Sequence, residues 1–573
     1  MQPAEPTQAE KAHRDMNELE GLNALIVEPH AGMRAMIHNM LAMCGLTRVD
    51  HAGSSNQAVK HIGGKHYDLI LCEYALEGGQ DGQQLLEDVR HHKLMRLSTM
   101  FFMVTAEGDY GKVVSAAELG PTDYILKPFT ADRLLERIAR ALDKRSVFLP
   151  VYQLMEAGNQ RDAIDACLDG EARHVRYLVD FMRLRAELHM FLGEPEQAEP
   201  IYRKLIETKA IAWARLGLAK TLFLRERYGD AQDILEHLVD TNKNFVDAYD
   251  WLARTHEAVG ALDKAQAVLS EAVGVSPHAV RRLRKLGETA LEAGDNDTAE
   301  KILKQVVSKA KYSEFRDPQD HVRLVQSLVR KGDPVQAAAV IRDLDKSMAF
   351  QKHTGVCSAI ASSMVHEYTG NEARLNEALS TALAGSRDAP ELRAELKLEL
   401  ARVAIENRME EGAAEVVREV MRNAGNNAAM ARAMAVFENA GHKELAQKLA
   451  VESRQQVVDL VAGGAARARE GDFKGAVTLM QEAANQLPDN PQVVFNAALA
   501  VLKCLDHGGW DERLGQQALG YIAAVRRLDP VNAKLPALAA LHRQILDKYG
   551  KGPRRVHGAL PGGAVAAGAG AAR

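Results

Sequence analysis

Asp123-Tyr124-Ile125-Leu126-Lys127-Pro128-Phe129 opens on an apolar run that stops at a lysine and a proline. Such a run is too short for a helix and suits a buried strand. Outward from it, runs of the same kind recur. Met100–Thr105 reads MFFMVT, Asp68–Cys72 reads DLILC, Asn23–Val27 reads NALIV, and a weaker strand falls near Arg48–His51. Helical stretches lie between and after them, from about Ala31 to Cys44, from Gly82 to His92 and from Ala131 to Leu142. Five strands alternating with five helices imply a doubly wound α/β unit, a parallel sheet covered on both faces. In such sheets chemistry sits at the carboxyl ends of the strands.

After Arg145 the strand signal ends and a repeat begins. Ala163, Ala198, Ala231, Ala265 and Ala299 follow one another at intervals of 35, 33, 34 and 34 residues. Turn signals precede most of them, at Gly158-Asn159, Gly193-Glu194, Gly260-Ala261 and Gly294-Asp295, and Tyr202, Leu235, Leu269 and Leu303 lie four residues after. This is a helix–turn–helix unit in which a small alanine lets two helices approach. The period resembles that of tetratricopeptide repeats. Pro277 and Pro488, each twelve residues after its alanine, and Leu528-Asp529-Pro530 match the repeat ends of that family. Between about Lys331 and Ala450 the spacing loosens, although Gly332-Asp333 and Gly441-His442 still mark turns. Roughly ten helix pairs are expected over residues 146–548, as an all-α superhelix.

The first unit resembles the receiver domains of two-component response regulators. Val104-Thr105-Ala106 matches the strand-four threonine and Tyr124–Phe129 the strand-five lysine, Lys127, with its following proline. Asp81-Gly82 matches the turn after strand three. The resemblance implies phosphoryl transfer onto an aspartate, with Mg²⁺ offsetting repulsion between carboxylate and incoming anion. Two elements depart from it. Glu28-Pro29 puts a proline where the family has a second acidic metal ligand, and Glu73 stands at the nucleophile position. The glutamate carboxylate lies about one C–C bond, roughly 1.5 Å, further out, a large displacement for in-line attack. The expectation is a degenerate acidic pocket of Glu28, Pro29, Thr105 and Lys127 around Glu73, with the Mg²⁺ site lost and no cofactor. Glu73 is either a built-in mimic of the phosphorylated state, paired with Lys127, or part of an unused pocket.

Arg281-Arg282-Leu283-Arg284-Lys285 is the densest basic run. With a formal net charge of −5 it reads as a helix face, not as a nucleic-acid patch. In the repeat register Arg281 and Arg284 face the concave groove, and Trp213 and Lys220 line the preceding unit, so these four are the candidate partner-binding residues. His91-His92 read as cations at a helix end, not metal ligands. Five dispersed cysteines, an odd number without a Cys-x-x-Cys pair, fit reduced thiols in a cytosol. No stretch is apolar enough to span a membrane, and no catalytic motif supports an enzyme. The expected organisation is a disordered tail over 1–20, a receiver over 21–145, repeats over 146–548 and a disordered Ala/Gly-rich tail over 549–573. The function expected is a cytoplasmic, bacterial-type, non-enzymatic adaptor in two-component or phosphorelay signalling. Its repeats bind a protein partner, and a histidine kinase or other signalling protein meets the receiver. Two alternatives stay open: a regulator phosphorylated on Glu73 or another acceptor, and a scaffold whose receiver serves as a homodimerisation module.

Overall fold

The structure, a computed structural model, describes residues 21–43, 45–76, 81–106, 121–208, 211–277, 279–311, 316–425, 427–529, 532 and 534–550. The expected tail 1–20, Cys44, Pro530, the segment 107–120 expected to be helical and all of the second tail but Tyr549 and Gly550 lie outside the described residues.

Strands β1 (Asn23–Val27), β2 (Arg48–Ala52), β3 (Leu69–Glu73), β4 (Met100–Ala106) and β5 (Asp123–Lys127) form one parallel sheet in the order β2-β1-β3-β4-β5. Alternate residues of each strand serve opposite cores. Ala24, Ile26, Leu69, Leu71, Phe102 and Val104 pack under Ile37 and Leu41 of α1 (Ala31–Met43) and Leu134 and Ile138 of α4 (Ala131–Glu156). Leu25, Val27, Ile70, Cys72, Phe101 and Met103 pack under Ala58 and Ile62 of α2 (Ser55–Gly64) and Leu85, Leu86 and Val89 of α3 (Gly82–His91). With apolar residues needed on both faces, the central strands read as unbroken apolar runs. Asp81 starts α3 by a capping box, its carboxylate accepting from the Gln84 N–H at 2.8 Å.

Helix α4 does not stop near Leu142. It runs for 26 residues to Glu156 and passes through residue 145 without a linker. Its second half has an apolar face of its own. Phe148 and Val151 are buried with Ala163, Cys167 and Phe181 of the first repeat, and the Phe148 and Phe181 rings stack at 4.1 Å. Pro150 removes one backbone donor inside this helix, and that burial offsets the loss. Two ion pairs flank the junction, Arg145–Asp68 and Lys144–Asp180, both 2.7 Å.

Helices then follow one another from Gln160–Arg173 to Leu535–Lys548. The turn inside successive pairs holds one residue at positive φ: Gly193, Glu226, Gly260, Gly294, Gly332, Gly370, Arg408, Gly441 and Gly471. A left-handed residue ends the first helix of a pair, and glycine adopts it without a Cβ clash. Glu226 and Arg408 adopt it as non-glycines, at φ 59° and 61°. That register gives the loosened spacing of 331–450 a regular form. Gly294, Gly332, Gly370 and Arg408 stand 38 residues apart. The period lengthens because the connections 311–317, 348–353 and 387–393 are longer than those of the earlier pairs. Ala299, Ala337 and Ala413 keep the buried small position in step, and Leu375 replaces it once.

Contacts within the array are not confined to neighbours, as simple stacking implies. Arg526 donates to the Gln160 side chain at 2.8 Å, its guanidinium lies 5.6 Å from the Phe191 ring, and Arg543 faces Asp162 at 3.7 Å. The helices Glu512–Leu528 and Leu535–Lys548 thus close back onto the first repeats.

Candidate functional site

The carboxyl ends of β1, β3, β4 and β5 bring Glu28, Glu73, Thr105 and Lys127 together, as their positions in sequence imply. Glu28 and Thr105 are buried, at 1% and 0% exposure, and Glu73 nearly so. The Lys127 ammonium bridges both carboxylates: it donates to Glu28 Oε2 at 3.0 Å and contacts Glu73 Oε2 directly. Glu73 Oε1 accepts from the Ala75 N–H at 3.1 Å, and Glu28 Oε1 from the His30 N–H at 3.0 Å. Burial raises the Glu73 carboxyl above its ordinary value, against the pull of Lys127 and the Ala75 N–H, and the nearby Glu28 charge adds to the rise. Burial draws the Lys127 ammonium down, but its bonds to Glu73 and Glu28 outweigh that and leave it raised. The Lys127–Pro128 peptide is cis, as the family resemblance implies.

These residues do not fit a divalent cation. Pro29 supplies no carboxylate, and its carbonyl accepts from Arg34 Nη1 at 2.6 Å. Both Glu28 oxygens have donors, and one Glu73 oxygen is held by Lys127. Among the described residues no group of three His, Cys, Asp or Glu could hold a metal. Arg34, which also donates to the Glu28 carbonyl at 2.5 Å, was not visible as a pocket residue in the sequence. It lies one helical turn into α1, and only the path of β1 into that helix brings it back.

The pocket is joined to α3 by direct packing. A Cβ on Gly82 would stand 2.4 Å from the Glu73 carbonyl oxygen and 2.9 Å from Met103 Sδ. Helix α3 in turn lies against the array. Glu87 lines a cavity of about 340 Å³ with Asp250, Arg254, Arg281, Arg282, Arg284 and Lys285. Burial raises the Glu87 carboxyl, opposed by the charges of Arg282 and Arg281. His91 stands in the last turn of α3 and His92 at its C-cap. Burial first, and then Arg281, holds both below the ordinary imidazole value. No sequence pattern identified Glu87, because nearly two hundred residues separate it from the arginines it meets.

The candidate groove residues are placed differently from one another. Arg284 makes a two-pronged ion pair with Asp320, at 2.6 and 2.8 Å, and Arg282 does the same with Asp250, at 2.8 Å twice. Arg281 is exposed. Trp213 lies 4.9 Å under the Arg183 guanidinium. Lys220 lies 5.1 Å over the Trp251 ring, and burial lowers its ammonium to about 8. Trp213 and Lys220 are not one repeat before Arg281, as the sequence register suggested, but two. The helix Val246–Ala258 intervenes, and a step of 34 residues back from Arg281 lands on Asp247.

Residues 24–139 match the response regulator receiver domain family, and residues 180–204 match the tetratricopeptide repeat family. The chemotaxis protein CheY of Pseudomonas aeruginosa is 31% identical over 124 residues, which are 22% of this chain and 98% of that protein. The transcriptional regulatory protein TcrA of Mycobacterium tuberculosis is 31% identical over 148 residues, 26% of this chain and 56% of that one. A tetratricopeptide repeat protein of Parabacteroides merdae superimposes with a TM-score of 0.30 at 12% identity, over 44% of this chain and 96% of that structure.

Proposed function

Through residues 24–139 this chain belongs to the response regulator receiver family, and from that premise we propose that it is a cytoplasmic, non-enzymatic adaptor whose receiver runs without aspartyl phosphorylation and whose repeats carry output by protein contact. The bridge that Lys127 makes between Glu28 and Glu73 carries this reading. In the family's reaction a lysine grips the incoming phosphoryl oxygens. Here the ammonium is already committed to two carboxylates of the chain, so a phosphoryl group would have to displace them. In this reading the Glu73 carboxylate takes that place, held by Lys127, and keeps the receiver in one state. The absence of a carboxylate at Pro29 supports the same reading, since the repulsion between Glu73 and an anionic donor has no ion to offset it.

Acetyl phosphate tests this directly. The wild-type chain takes no stable label, and the Pro29→Asp, Glu73→Asp double variant labels more than either single variant, because metal and nucleophile act as one unit. Stoichiometric phosphate mapped to Glu73 in the wild type overturns the reading in favour of a phosphorylated regulator.

A further inference from the structure

With Arg282, Arg284 and Lys285 paired internally and their face met by α3, a second surface of the array is open. Val461, Phe495, Leu499, Leu538 and Leu541 line a cavity of about 1030 Å³ between the helices Lys443–Arg469, Pro491–Gly508 and Leu535–Lys548. A neighbouring cavity of about 430 Å³ shares Val461, Asn496, Leu499 and Lys503 with it, so the two form one groove. Phe495, Leu499, Val461 and Leu541 are only partly buried, with their inner sides on the core of the last repeats. An apolar floor of this extent is unusual for a surface that meets only water.

The border is cationic. Lys503 and Lys534 flank the larger cavity and Arg469 the smaller. None of the three lies in an ion pair among the described residues. The one carboxylate on the border, Asp529, accepts from the Asn532 side chain at 2.9 Å. Apart from the cations and Asp529, the polar lining of the larger cavity is Gln492, Asn496 and Asn532, and the amides of Asn496 and Asn532 already donate within the chain. An extended peptide needs more partners than these, whereas a helix satisfies its own backbone.

We propose that this groove takes an amphipathic helix of a partner protein, apolar residues on the floor and acidic residues against Lys503, Lys534 and Arg469. The proposal rests on the reading that the repeats act by protein contact, and it places that contact on the last repeats, apart in sequence from Arg281–Lys285.

The test uses the full chain and a fluorescein-labelled 18-residue helical peptide, with leucines at i, i+3, i+4 and i+7 and glutamates along both borders. A twin carries lysine for each glutamate. Fluorescence anisotropy should show the acidic peptide binding more tightly than its twin. Phe495→Ser should weaken it about tenfold or more, as loss of a central apolar anchor does. Lys503→Glu with Lys534→Glu should weaken it about threefold to tenfold and improve the twin. These lysines serve no core, so the reversal stands as the test even where Phe495→Ser fails to fold. Equal binding of the two peptides, or no change in the double variant, overturns the proposal. Binding that appears only after deletion of residues 551–573 assigns the groove to the chain's own terminus, and a dimer that Phe495→Ser dissociates assigns it to a second copy. Either outcome overturns it too. Cellular partners recovered undiminished by the double variant sink the groove and spare the adaptor reading, while a wild-type chain that recovers none sinks both.

Discussion

The receiver pocket and the repeat array handle buried charge in different ways. In the pocket one ammonium serves two carboxylates at the ends of neighbouring strands. In the array, charges are spread over many pairs, some single, as in Arg282–Asp250 and Lys397–Glu419, and some shared, as in Glu199 with Arg203 and Arg225. The pocket therefore concentrates its electrostatics in a single residue. The array spreads it over many pairs and draws its cohesion from packing, with alanines and glycines where helices touch. A charge change should be severe in the first region and mild in the second, where a volume change at a helix contact has the larger effect.

The largest effect is expected from Lys127→Met. It leaves Glu28 and Glu73 buried without a cation, and breaking such an arrangement costs about 3–5 kcal/mol. Urea unfolding followed by a probe in the receiver should show it, and Lys127→Met with Glu73→Gln should recover part of the loss. A variant as stable as wild type would mean that the bridge is incidental.

Next comes Gly287→Ala. A Cβ there would lie 2.8 Å from two carbons of the Leu303 side chain in the paired helix. Overpacking of this kind costs about 1–3 kcal/mol, and the thermal midpoint of the array should fall. An unchanged midpoint would show that Leu303 yields freely, and that the comparison overstates packing.

The closure between the last and first repeats has a pH signature. His542 is buried at 3% exposure, and burial together with Arg526 lowers its imidazole to about 4 from an ordinary 6.5. The folded state thus favours the neutral ring. As pH falls below about 6.5 the unfolded chain takes the proton first, so stability present above that pH drains away towards pH 4. Comparing denaturant midpoints of wild type and His542→Gln across this range isolates the contribution, because other histidines are common to both. Parallel curves would remove His542 from the account.

The smallest effect on stability is expected at the receiver–array contact. Glu87→Lys sets a cation beside Arg281 and Arg282, at a cost of about 1 kcal/mol or less. Small-angle scattering should nonetheless show a larger radius of gyration as the two regions part. No change in dimensions would mean that α4 alone holds their arrangement.

Much of this molecule could be read from its residues in order. The strand runs, the Thr105 and Lys127 positions, the substitutions Pro29 and Glu73 and the 34-residue register all rest on local pattern, which is written along the chain. Other features escaped because they depend on partners far away in sequence. Arg284 looked like a free groove cation until Asp320 arrived beside it. The lengthened period from Gly294 to Arg408 was legible in principle, but Arg408 stands where glycine marks most of the turns and hid the last step.

What the sequence determined by itself is the set of elements and the chemical content of the receiver pocket, because periodicity and the order of strands act over short spans. What only the tertiary structure decided is which charges are spent. One lysine bridges two glutamates, α4 runs on into the first repeat, Arg526 returns to Gln160, and Glu87 comes to rest beside the arginines. Each of these joins residues on separate elements, and a charge is neutralised by whatever the fold sets within a few ångströms of it, which no local pattern encodes.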